Sequence, residues 1–101
     1  MRIYEVIEEL ALDNIMPTDN HLIQLTDCFD DSKWAKSAEV FLRGVGNQHL
    51  VPGKIIETFA GICDFYREHE MLTRKQKIWL LSHEIRYWNQ IGLEMRATLM
   101  L

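Results

Sequence analysis

Apolar residues recur every three or four positions along most of this chain, the spacing of one helix face, and the punctuation between them divides it into five helical segments. The first is expected from Arg2 to Asp13, with Ile3, Val6, Ile7 and Leu10 inward and Glu5, Glu8 and Glu9 toward water. Asn14 can take the left-handed C-cap conformation, and Pro17 blocks continuation. The second is expected from Asp19 to Phe29, with Thr18 or Asp19 as N-cap and Leu22, Leu25, Cys28 and Phe29 inward. A third starts after Asp31 or Ser32, carries Trp34, Ala38, Phe41 and Leu42 on one stripe and ends at Gly44. The longest loop follows, from Gly44 to Pro52.

The fourth helix is expected from Pro52, whose missing N–H costs nothing in a first turn, to Glu68. Ile55, Phe59, Ile62 and Tyr66 share a face, joined by Ile56 and Cys63. Thr73-Arg74-Lys75-Gln76 then matches a capping box, and a fifth helix is expected to run nearly to the C-terminus, about 40 Å at 1.5 Å per residue. Along it Ile78, Leu81, Ile85, Trp88, Gly92, Met95 and Leu99 are spaced alternately three and four apart, a heptad seam. Trp79, Leu80, Tyr87, Ile91 and Leu93 form a second apolar stripe beside it. One stripe can face the other helices. The second calls for a cover, from a partner protein, from a homodimer or from the chain's own bundle.

The pattern therefore predicts an all-α protein: a compact bundle of about five helices with a long C-terminal helix, in one domain spanning residues 1–101. A hydrophobic fraction of 48% in 101 residues, with three Trp, three Tyr and four Phe, is enough for a core and argues against disorder. No window approaches the ~18–20 consecutive apolar residues of a membrane span. Acids at Glu5, Glu8 and Glu9 interrupt the opening segment, so it does not read as a secretory signal, and the expected location is the cytoplasm. Cys28 and Cys63 are too few for a disulfide framework and are expected to be reduced thiols in the core.

Charge divides the chain. Residues 1–31 hold eight acids and one base, giving −7, whereas residues 32–101 hold seven acids and ten bases, giving +3, for a net −4. Either two binding faces of opposite sign or two halves that attract on folding would produce this split. The cluster Arg74, Lys75 and Lys77 opens the fifth helix, where the helix dipole favours acids over bases. These three residues are candidates for an anion or DNA site, with Lys75 and Trp79 four apart so that cation and ring share a face. The alternative is pairing with Glu68 and Glu70 or with the acidic first third. A sequence pI near 5.5 weighs against a dedicated nucleic-acid binder.

No enzymatic constellation emerges. His83-Glu84 lacks the second histidine of a zincin, Tyr87 standing in its place. Cys63 and His69 have no zinc-site spacing, Gly44 and Gly46 do not form a nucleotide loop, and Ser32, Ser37 and Ser82 lie in no nucleophile elbow. Neither a metal nor a cofactor is expected. Trp79, Tyr87, Trp88, Ile91, Met95 and Leu99 are the candidate anchors for a partner.

The opening Met1-Arg2-Ile3-Tyr4-Glu5-Val6-Ile7-Glu8-Glu9-Leu10 and the segment Phe65-Tyr66-Arg67-Glu68-His69-Glu70-Met71-Leu72-Thr73-Arg74-Lys75-Gln76, in a chain of about this length, resemble small phage accessory proteins of the anti-RecBCD type. The resemblance implies a phage-encoded regulator that binds the host recombination nuclease, a RecBCD-like complex, and alters its processing of DNA ends. A small DNA-binding accessory protein, using the basic start of the last helix, is the alternative. A mimic of DNA built on the acidic first third is a further one.

Overall fold

A computed structural model of the chain describes residues 3–12, 17–45 and 51–88. It is all-α: α1 (Ile3–Leu12), α2 (Asp19–Thr26), α3 (Asp31–Val45), α4 (Gly53–His69) and α5 (Arg74–Tyr87), with no strand among the described residues.

The caps explain most of the boundaries. Thr18 accepts a hydrogen bond from the His21 N–H and starts α2. Pro52 is the N-cap of α4, as its fixed φ allows. At the other end of α4, Glu70 adopts the left-handed conformation (φ 54°, ψ 26°), and its N–H returns to the Tyr66 carbonyl at 2.7 Å. Before α5, Thr73 Oγ1 accepts from the Gln76 N–H at 3.1 Å, and Gln76 Oε1 accepts from the Thr73 N–H at 2.8 Å, the reciprocal box expected from the sequence.

The inward faces are largely the expected ones. Ile3, Val6 and Ile7 of α1, Trp34, Ala38 and Phe41 of α3, and Phe59, Ile62 and Cys63 of α4 are buried, with Leu10, Leu42, Ile55, Ile56 and Tyr66 packed at the margin. α3 lies along α4, and α5 packs on α1, α2 and α3 at once. The heptad seam of α5 turns inward with Leu81, Ile85 and Trp88 fully or nearly fully buried. Leu80, assigned to the second stripe, is also fully buried, so the bundle itself covers part of that stripe.

Several expectations are corrected. α2 ends at Thr26, three residues before the expected end at Phe29. Thr26 donates its hydroxyl to the Ile23 carbonyl at 2.7 Å, and its own carbonyl receives the Trp34 indole N–H at 3.1 Å. Cys28 therefore lies in the turn beyond, exposed and bonded to the Gln24 carbonyl, and is not a core thiol; Cys63 is. Glu8, placed toward water by periodicity, is half-buried and accepts the indole N–H of Trp88. α3 continues one residue past Gly44, to Val45.

Candidate interaction face on helix α5

The buried and open sides of α5 follow from the 100° step between successive helical residues. Leu80, Leu81, Glu84, Ile85 and Trp88 occupy one side, and all five are buried. Lys75, Trp79, Ser82, His83 and Arg86 fall within roughly 100° of arc on the other. On this outer side Lys75 and Arg86 are exposed, while Trp79, Ser82 and His83 are half-buried.

A run of ring contacts ties that face to the core. Phe41 of α3 stacks on Phe59 of α4 at 4.9 Å between centroids, and Phe59 meets Trp79 edge-on at 5.0 Å. Trp79 in turn stacks on His83 at 3.9 Å with planes 22° apart. His83 Nδ1 lies 2.8 Å from the Trp79 carbonyl oxygen, which also accepts the Ser82 hydroxyl at 3.1 Å. With Nδ1 donating, Nε2 is left as an acceptor. Burial lowers the His83 pKa from its ordinary value and nearby Arg86 lowers it further, against the Trp79 carbonyl, which favours the uncharged ring. The Trp79–His83 pair is thus a stacked aromatic shelf between two cations.

The three bases expected at an anion site part company. Arg74 reaches Asp27 at 3.4 Å on the surface. Lys77 lies 3.0 Å from Asp31 Oδ1 with its side chain only 13% exposed, so its ammonium is committed to that carboxylate. Both partners belong to the acidic first third, whereas Glu68 and Glu70 upstream pair with neither base. Of the three, only Lys75 has no ion pair among the described residues. The charge split between the halves is therefore, at these two points, an attraction between them.

The aromatic anchors separate as well. Trp79 and Tyr87 are half-buried at the margin of the core. Trp88 is not an anchor on the surface: it is completely buried, stacks on Tyr4 at 6.1 Å and donates to Glu8. As a heptad-seam residue it fills the groove between α5 and α1, where a large ring removes the most apolar area from water. Ile91, Met95 and Leu99, together with the expected extension of the last helix beyond Trp88, lie outside the described residues.

Sequence reasoning missed His83 and Glu84 as members of a structural pattern. For Glu84 the signal was present: it stands four after Leu80, three after Leu81 and four before Trp88, on the buried face. Among the described residues no three of His, Cys, Asp and Glu converge to hold a metal ion, and no helix is long and apolar enough to cross a membrane.

No family model matches the chain, and no solved structure matches it. It is similar to one subunit of the ATP-dependent helicase/deoxyribonuclease of Staphylococcus carnosus (strain TM300), with 33% identity over 58 residues. That stretch is 57% of this chain and 5% of the relative, so the chain matches about one twentieth of that protein's length.

Proposed function

We propose that this chain is a phage-encoded regulator that docks on a RecBCD-like helicase–nuclease complex of the host cytoplasm and alters its processing of DNA ends, without catalysing a reaction itself. The observation that carries docking is the outer face of α5: a rigid Trp79–His83 stack flanked by Lys75 and Arg86, neither in an ion pair among the described residues. Trp and Arg are the residue types that dominate binding energy at protein interfaces, and a side chain already held by its neighbours loses little entropy on association. The same geometry weakens direct DNA binding through the start of α5, since Asp31 engages Lys77 and Asp27 engages Arg74.

The class of partner comes from the resemblance of residues 1–10 and 65–76 to anti-RecBCD accessory proteins. The 58-residue likeness to part of a helicase/deoxyribonuclease is in keeping with it. A chain sharing a stretch with such an enzyme could act by competing with that stretch for its neighbours in the complex.

Purified helicase–nuclease complex, titrated with the labelled chain and assayed on linear duplex DNA, tests both halves of the reading. Saturable binding with altered end resection is expected. Unchanged resection and no binding at micromolar complex would overturn it, and salt-sensitive binding to DNA alone would favour the DNA-binding accessory protein instead.

A further inference from the structure

Glu84 is fully buried on the inner side of α5. Its Oε1 accepts the Ser37 hydroxyl of α3 at 2.6 Å, while its Oε2 has no hydrogen-bond partner among the described residues. The Tyr4 phenol of α1 lies beside the same Ser37 and Glu84, so one small polar cluster joins three helices inside an otherwise apolar seam. A carboxylate in such a place costs several kcal/mol in lost hydration unless a cation or several donors compensate, and one hydroxyl does not.

Among the described residues, the surroundings supply no cation. α1 brings Tyr4, along with Glu8, which is bonded to Trp88. α3 brings neutral Ser37, its lysines Lys33 and Lys36 being exposed. α4 brings the Cys63 thiol, itself shifted upward by burial and by acids that include Glu84. α2 brings Asp27, engaged by Arg74, and exposed Asp19 and His21. On α5 itself His83 and Arg86 point to the outer face, and Lys77 is held by Asp31.

We propose that Glu84, Ser37 and Tyr4 form a proton-controlled latch: α5 is seated against α1 and α3 while the Glu84 carboxyl is neutral, and loss of that proton unseats α5. Burial, opposed only by the Ser37 hydrogen bond, raises the Glu84 pKa to about 8. The latch is then tightest in acid and loosens progressively as pH rises toward 8. Because the folded pKa lies above that of an unfolded glutamate, the unfolded chain gives up this proton first. Stability from Glu84 is complete below the ordinary carboxylate range, declines as pH rises toward 8 and falls no further above it. This inference concerns the fold alone and stands whether or not the docking partner is the one proposed.

Equilibrium unfolding of the full chain between pH 5 and pH 9, compared with Glu84→Gln, is the test. Up to the folded pKa the wild type should lose about tenfold in its folding constant per pH unit relative to the variant, as one released proton requires. Amide exchange in α5, corrected for intrinsic base catalysis, should speed up progressively as pH rises toward 8 and level off above it, in the wild type only. A variant with the wild-type pH profile overturns the latch. Should Glu84→Gln fail to fold, the ¹³C carboxyl resonance of Glu84 in the wild type decides: titration near pH 8 upholds it, and a carboxylate already ionised at pH 6 overturns it.

Discussion

Lys77 Nζ lies 3.0 Å from Asp31 Oδ1, joining the start of α5 to the start of α3 across 46 positions of sequence. The second oxygen of Asp31 accepts the Leu72 N–H at 3.0 Å, so one carboxylate holds both the α4–α5 connection and the first turn of α5. Together with Asp27–Arg74, this contact is where the acidic first third meets the basic remainder.

Asp31→Asn is expected to cost about 1–2 kcal/mol, because a charge-assisted acceptor becomes a neutral one while Lys77 stays partly shielded from water. The Leu72 hydrogen bond foremost, and Lys77 in addition, hold the Asp31 carboxyl below its ordinary value against its own desolvation. A carboxyl depressed in the folded state contributes stability that is complete above the unfolded pKa of about 3.9 and is lost as pH falls toward the folded value. Denaturant titrations at pH 7 and below pH 4 should show the wild-type advantage over Asp31→Asn shrinking in acid. A constant difference would contradict the assignment.

Trp88→Phe should preserve most of the ring packing on Tyr4 but leave half-buried Glu8 without its indole donor. A loss of about 1–2 kcal/mol is expected, against about 3–5 kcal/mol for Trp88→Ala, which also opens a cavity. Urea midpoints for the two variants check the order. Equal losses would mean that the hydrogen bond contributes most of the effect.

At Glu70 the expected change has the opposite sign. Its left-handed backbone suits glycine, and the side chain is exposed. Glu70→Gly should gain about 0.5–1 kcal/mol, the relief of the Cβ clash less the added freedom of the unfolded chain. Thermal unfolding would show a higher midpoint, and a lower one would place the strain elsewhere.

The two thiols should react at very different rates. Cys28 is exposed in the turn after α2, while Cys63 is buried and its thiol pKa is raised chiefly by burial. A small disulfide reagent under native conditions should modify Cys28 first and reach Cys63 at least about tenfold more slowly. Equal rates would show that α4 opens readily.

Much of the bundle was legible because its signals are local. The three-and-four spacing of Ile3, Ile7, Trp34, Ala38, Phe41 and Phe59 identifies their faces, and the Thr73–Gln76 box needs only four consecutive residues. The misplaced residues are mostly those with distant partners. Glu8 turns inward because Trp88, 80 positions away, donates to it, and Trp88 is hidden because α1 lies over it. Cys28 was misplaced for a local reason, since Thr26 ends α2 with its hydroxyl on the Ile23 carbonyl and puts the cysteine in a turn. For the candidate face, the sequence pointed to α5, and within it to a buried tryptophan and to two bases already engaged. Which of two apolar stripes faces solvent depends on how α1, α2 and α3 surround α5, and no window of α5 contains that information.

Docking through the outer side of α5 is tested most directly by the affinity of the double variant Lys75→Glu, Arg86→Glu for purified helicase–nuclease complex. Both side chains are exposed, so the variant should fold with wild-type stability, and circular dichroism would confirm it. At least a tenfold loss in affinity is expected, about 1.4 kcal/mol, with Glu70→Gly as an unaffected control. Wild-type affinity in the folded double variant would contradict docking through this face.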